Sequence, residues 1–164
     1  MCGKGRQLRR FGLKVLGVDI LYGREVIDYV RLNVANRFCM ESGVKIMLRT
    51  TQGTLHVATA PGFVFDGRLG PSFIDWYVPP IGTLEERLCW LVHDCNAYAK
   101  DLSFEDTNLL LYAMLRDVAG YNVAKANVLQ LAASLSKTWY GAPEIHDWIY
   151  LNSDRVKTVW MPEV

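Results

Sequence analysis

The spacing of apolar residues changes along this chain, and the change limits the folds available to it. Residues 45–50 and 54–59 have the extended pattern typical of strands, and a short turn at residues 51–53 separates them. This arrangement predicts a β-hairpin. After Thr83 the apolar residues recur at helical steps of three and four. The sequence therefore predicts an α+β fold, with a sheet followed by helices.

Three helices are predicted after residue 82. Thr83 and Glu86 form a T-x-x-E capping box at the start of the first helix, which is expected to end near Lys100. The second helix is expected to start at Ser103 and to end at Gly120. The third is expected over residues 123–136. Buried positions are predicted, helix by helix, at Leu84, Leu88, Leu91 and Cys95, then at Leu109, Leu110, Ala113 and Met114, then at Val128, Leu131 and Leu135.

The region before residue 45 is expected to be helical. Val26, Val30, Val34 and Phe38 follow one another at four-residue steps, which predicts a helix over residues 25–40. A short third strand is predicted at residues 63–65. The complete expectation is a single domain over residues 1–164, with an N-terminal helical region, a small antiparallel sheet and a C-terminal three-helix cluster.

Composition excludes several classes of protein. The four cysteines form no C-x-x-C pair, which argues against a zinc ribbon and favours free thiols in a reducing compartment. No run of about 20 apolar residues is present, so a membrane-spanning helix is not expected. A signal peptide is not expected either. The predicted location is a virion or the cytoplasm of a host cell.

Residues 1–18 form a basic N-terminal arm with five cations and no acidic residue, whereas the remaining residues carry 13 basic and 17 acidic groups. Leu8, Phe11, Val15 and Leu16 have helical spacing between the cations. The arm is therefore expected to be a contact surface that can be removed without unfolding the rest of the chain. Its partner is expected to be an acidic protein surface or, alternatively, nucleic acid. The candidate partner-binding residues are Lys4, Arg6, Arg9, Arg10, Phe11 and Lys14.

A His–Asp pair is the main candidate for chemistry. His93 is followed directly by Asp94, an arrangement found in metal-dependent phosphohydrolases. Asp66 is a possible further ligand. The other interpretation is that His93 and Asp94 form a buried hydrogen-bonded pair that supports the core.

Three short motifs resemble a family of phage and prophage proteins of unknown function. Their pattern, D-G-x-x-x-P, then H-D-x-x-x-Y, then a helix that starts at serine, is spread over residues 53–141. The matching residues are Asp66, Gly67, Pro71, His93, Asp94, Tyr98 and Ser103. Phe65, Leu69 and Asn108 stand where that family has Thr, Ser and Asp. If those polar residues bind a metal or a substrate in the family, this chain lacks part of the set.

Two functions are consistent with these observations. The first is a phage-type structural or accessory protein that contacts other, viral, protein subunits in a virion or an assembly and needs no cofactor. The departures from the family pattern, the basic arm and the aromatic tail at residues 139–164 favour it. The alternative is a hydrolase in which His93, Asp94 and Asp66 hold a divalent metal that activates water.

Overall fold

A computed structural model describes residues 7–22, 29–31, 38–65, 82–139 and 154–163. The elements in chain order are β1 (Val15–Tyr22), β2 (Tyr29–Arg31), β3 (Phe38–Met40), β4 (Val44–Thr50), β5 (Gly53–Thr59), β6 (Val64–Phe65), α1 (Leu84–Ala99), α2 (Phe104–Asp117), α3 (Val123–Trp139) and β7 (Val156–Pro162). Strands dominate the N-terminal half and the helices follow, so the α+β prediction is confirmed.

The larger sheet has four antiparallel strands in the order β1-β4-β5-β7. Strands β4 and β5 form the predicted hairpin, in which Ile46 pairs with Val57 and Leu48 with Leu55. Alternate residues of both strands are buried, because one face of the sheet packs on the core while the other faces outward. Strand β7 pairs with β5 and brings Trp160, which is 7% exposed, onto the buried face.

The helical expectation for the basic arm is wrong where the structure describes it. Residues 15–22 form β1, which pairs with β4 along its length and has register shifts near Gly17 and after Ile20. Residues 15–18 belong to the segment that was expected to be removable, yet they pair with the central sheet. The physical reason is that the exposed edge of β4 offers backbone hydrogen bonds, while Val15, Val18 and Ile20 favour an extended chain.

The helix predicted over residues 25–40 is also wrong for its described parts. Tyr29–Arg31 and Phe38–Met40 are strands, and with β6 they form a second antiparallel sheet in the order β2-β3-β6. A spacing of four residues keeps side chains on one face of a strand as well as on one face of a helix. Phe38 and Met40 are buried two residues apart, which is the strand period.

Helices α1 and α2 follow the prediction closely. The Thr83 side chain accepts from the Glu86 backbone N–H, and the Glu86 carboxylate accepts from that of Thr83, which completes the capping box. Ser103 caps α2 by accepting from the Asp106 N–H at 3.1 Å. Among the predicted buried residues of α1, Leu84 is the exception, because it lies in the first turn and is 39% exposed.

Helix α3 forms where it was expected, but its buried face differs from the prediction. Ala126, Leu129 and Ala133 are buried, while Val128 and Leu131 are 61% and 59% exposed. The small alanines allow α3 to approach α2, which it contacts along the bundle.

The helices cover the buried side of the strands. Helix α1 contacts β5, β6 and β7, and α2 contacts α1, α3 and β1. One hydrophobic cluster joins the two sheets with the three helices. Within the described part of the chain, every helix is too short or too polar to cross a bilayer.

Candidate functional site

The His–Asp pair lies in the interior, in the middle of α1. His93 and Asp94 are each 6% exposed, and Nδ1 of His93 lies 3.2 Å from Oδ1 of Asp94. Nε2 of His93 lies 3.0 Å from the side-chain oxygen of Asn108 on α2. We call these three residues and Asn96 the His93 cluster. Through the contact between His93 and Asn108, these side chains link α1 to α2.

The two ring nitrogens of His93 contact different side chains. Nδ1 lies against the Asp94 carboxylate, and Nε2 lies against the side-chain oxygen of Asn108. In this arrangement both ring nitrogens are used inside the protein. A metal would have to displace one of these contacts, because it binds through a free imidazole nitrogen.

Several polar atoms near His93 have no hydrogen-bond partner. Asn96, one turn beyond His93 on α1, is 1% exposed and both atoms of its amide are unpaired, as is the amide nitrogen of Asn108. Trp90, one turn before His93, has an unpaired indole N–H. Each such buried group lowers stability by about 1–3 kcal/mol.

Of the residues proposed to hold a metal, His93 and Asp94 lie side by side, but the described part of the chain adds no third ligand to them. The described residues contain no group of three or more His, Cys, Asp or Glu side chains that could hold an ion. Asp66 falls outside the described residues. His56 lies on β5, as predicted, and its side chain is half-buried on the outer face of the sheet.

The buried cysteines are poor nucleophiles. Burial, with a smaller contribution from the Glu86 charge, raises the pKa of the Cys89 thiol. Burial and the Asp94 charge likewise raise the pKa of Cys95 well above its usual range. Both thiols therefore stay protonated at neutral pH.

The basic arm presents a second candidate site at its centre. Residues 9–14, which we call the Phe11 turn, carry a phenylalanine whose side chain is 96% exposed. Gly12 has φ of +76°, a conformation that glycine adopts without strain. This backbone directs Phe11 away from the body, while its neighbour Leu13 is only 2% exposed.

The Phe11 turn is held by side chains from the turn between β4 and β5. Gln52 accepts from the Arg9 N–H and donates to the Arg9 carbonyl, both at 2.7 Å. Thr51 donates to the Gly12 carbonyl at 2.6 Å and accepts from the Lys14 N–H at 3.1 Å. These reciprocal bonds fix the turn on a hairpin of the central sheet.

The arm is also fastened to the helices. Asp106 is 0% exposed, and its carboxylate accepts from the Gln7 N–H at 2.7 Å and from the Leu8 N–H at 3.0 Å. Asp117 accepts from the Val15 N–H at 2.8 Å. Burial raises the pKa of Asp117, but the hydrogen bonds from Arg116 and Val15 outweigh it, so the pKa lies below its usual value.

The structure separates the six predicted partner-binding residues into groups. Arg9, Phe11 and Lys14 are exposed on the turn. Arg10 is engaged by the protein itself, because its guanidinium lies 4.8 Å from the centre of the Tyr112 ring and hydrogen-bonds Asn127. Lys4 and Arg6 lie outside the described residues.

Sequence reasoning missed the residues that hold the Phe11 turn. Asp106 lies three residues after the predicted helix start at Ser103, and Gln52 lies in the predicted turn at residues 51–53, but neither position is a predicted contact of the arm. A buried acid in the first turn of a helix was an available signal, since such an acid needs donors.

Comparisons with known proteins give no relative for this chain. No protein-family model matches it, and neither a curated protein nor a solved structure does.

Proposed function

We propose that this protein is a phage-type structural or accessory component that works by contacting other protein subunits through the Phe11 turn. The observation that carries the proposal is a phenylalanine left 96% exposed on a turn whose backbone is fixed by Gln52 and Thr51. Aromatic residues, phenylalanine among them, are enriched in protein–protein interfaces relative to the rest of the surface.

The energetics favour a contact at this position. Burial of a phenylalanine side chain contributes about 1.5–3 kcal/mol. A turn that is already ordered loses little conformational freedom on binding, so most of that contribution is retained.

Charge indicates the kind of partner surface. Arg9 and Lys14 flank Phe11 and have exposed side chains. An apolar pocket with a rim of acidic residues would complement this arrangement, and the charges would speed association. Nucleic acid is the competing partner, because an exposed ring between cations can also stack on a base.

The His93 cluster supports a non-enzymatic role. His93 and Asp94 are buried and use their hydrogen-bonding groups on each other and on Asn108. The hydrolase alternative requires these contacts to open to water and substrate, so it is the weaker proposal.

Site-specific crosslinking tests the contact directly. Benzoylphenylalanine replaces Phe11 in one protein and Val128, an exposed residue on α3, in the control. We expect a discrete protein adduct from position 11 in lysate of phage-infected cells treated with nuclease, and none from position 128.

The adduct's partner is then purified and its affinity measured. Phe11→Ala should weaken binding about tenfold or more, as expected for a hot spot. The absence of any position-11 adduct contradicts the proposal. So does Phe11-dependent binding to DNA whose affinity falls steeply with salt, because that marks a phosphate contact.

A further inference from the structure

One aromatic ring on α2, that of Tyr112, lies against two arginines. The guanidinium of Arg10 lies 4.8 Å from the centre of the ring, and that of Arg116 lies 5.3 Å from it. Tyr112 and Arg116 are four residues apart on the helix, so they share one of its faces. Arg10 belongs to the Phe11 turn. The ring therefore joins α2 to that turn.

Each of the two arginines makes a further contact that fixes the Phe11 turn. Arg116 donates from Nη2 to the carbonyl oxygen of Leu13 at 2.8 Å. Arg10 donates to the side-chain oxygen of Asn127 on α3. The backbone is thus fastened to the helices immediately before Phe11 and two residues after it.

The ring and one carboxylate make this pair of cations favourable. Two cations that share one ring repel each other, but Asp117 accepts from Nε and Nη2 of Arg116 at 2.6 and 2.7 Å and neutralises that charge. The face of an aromatic ring attracts a cation, and a planar guanidinium also stacks on it. Tyr112 is 7% exposed, so its ring is a fixed platform for the exposed Arg10.

From this geometry we infer that Tyr112 is a positioning residue for Phe11. Its ring holds Arg10 and Arg116, and these arginines hold the turn against the helices, while the β4–β5 turn holds it against the sheet. This inference rests on the proposed function, because it concerns how the same turn is presented to a partner. A turn that is ordered in advance loses less conformational freedom on binding.

Amide hydrogen exchange of the full chain, followed by NMR, measures how often the turn opens. The reporters are the N–H groups of Arg9 and Lys14, which donate to side chains of the β4–β5 turn. Tyr112→Leu should lower their protection about tenfold, because two cation–π contacts are lost. Arg10→Gln loses one contact and should lower it about threefold. Leu55, buried on the central strand β5, reports global unfolding.

Two further variants separate the ring from other effects. Tyr112→Phe keeps the ring and removes only the hydroxyl, so it should protect the turn to within about twofold of the wild type. Tyr121→Leu is the matched control, because the Lys125 ammonium lies 4.0 Å from the centre of the Tyr121 ring. It removes a cation–π contact elsewhere and should leave protection of the turn unchanged. Arg10→Gln, a surface change, decides the test if Tyr112→Leu does not fold.

The inference is overturned if Arg10→Gln leaves the turn as protected as in the wild type. It is also overturned if Tyr112→Leu lowers protection by the same factor at Leu55, since the ring would then support only the global fold. Equal effects of Tyr112→Phe and Tyr112→Leu would likewise contradict it. No partner enters the measurement, so this inference and the proposed function fail separately.

Discussion

The carboxylate of Asp106 binds the backbone N–H of Leu8 at 3.0 Å across 98 residues of sequence. The same carboxylate accepts from the neighbouring Gln7 N–H. One buried acid at the start of α2 therefore fixes the chain just before the Phe11 turn. Residues 7–22 are consequently part of the folded body.

Replacement of Asp106 should lower stability strongly. Asp106→Ala leaves two backbone N–H groups of the arm without an acceptor, and hydrogen bonds to a charged group contribute about 1.5–3 kcal/mol each. We expect a loss of about 3 kcal/mol in the free energy of unfolding, measured by urea denaturation. Glu105→Ala is the control, because Glu105 lies in the same first turn but is exposed. Equal losses in the two variants would show that only the helix dipole is involved.

Two apolar residues of the arm should behave in opposite ways. Leu8 is fully buried, so Leu8→Ala is expected to destabilise the protein by about 2–5 kcal/mol. Phe11→Ala should change stability by less than about 0.5 kcal/mol, because Phe11 contacts mainly solvent. Denaturant melts of both variants check this difference. If removal of residues 1–18 leaves a fully stable body, as the sequence alone predicted, the integration of the arm described above is wrong.

The His93 cluster is expected to be structural. His93→Ala leaves the Asp94 carboxylate and the Asn108 amide with one partner fewer in the interior. The free energy of unfolding should fall by about 1–3 kcal/mol. Addition of zinc or manganese should leave the melting temperature of the wild type unchanged. A metal-dependent rise in melting temperature that disappears in His93→Ala would favour the hydrolase alternative.

Asn96 gives a sharper test of the same cluster. Both polar atoms of its buried amide are unpaired, which costs stability. Asn96→Leu replaces the amide by an apolar side chain of similar volume and so removes that cost. The variant should be as stable as the wild type or more stable by about 1–2 kcal/mol. Asn122→Leu serves as the control, because the Asn122 side chain accepts from the Lys125 N–H and its loss should destabilise α3. A clear loss of stability in Asn96→Leu would mean that the amide binds ordered water or a ligand in the protein.

Asp117 should make stability depend on acid pH. Its pKa is lower in the folded protein than in the unfolded chain, so its stabilisation is complete above about pH 4, the unfolded value. The contribution is lost as pH falls through the lower folded pKa. The stability difference between wild type and Asp117→Asn should therefore shrink between about pH 5 and pH 2, as urea melts at several pH values would show. A stability difference that stays constant over this pH range would contradict the prediction.

Local signals account for the parts of the fold that the sequence predicted correctly. The start of α1 depends on Thr83 and Glu86, three residues apart, and the start of α2 depends on Ser103. The β4–β5 hairpin depends on two short runs and the turn between them. Each of these signals requires only neighbours in the chain, so a single sequence is enough to read it.

The candidate site was predictable only in part. Phe11 and the cations around it marked a contact surface in the sequence, but the helical pattern placed Leu8 on the same face as Phe11. In the folded protein Leu8 is buried and Phe11 is exposed, because Asp106 binds the backbone N–H of Leu8 and Gln52 binds that of Arg9. Neither partner is close in sequence, so no local pattern could separate the two residues.

The sequence by itself therefore determined the helix starts, the hairpin and the α+β class, while tertiary structure decided the conformation of the described residues before residue 41. Apolar residues at four-residue steps fit one face of a helix and one face of a strand equally well, as in the series Val26, Val30, Val34 and Phe38. The choice went to strands because β4 and β6 offer β1 and β3 backbone partners. Such partners exist only once distant segments have come together, and for that reason pairing, unlike capping, cannot be read from neighbouring residues.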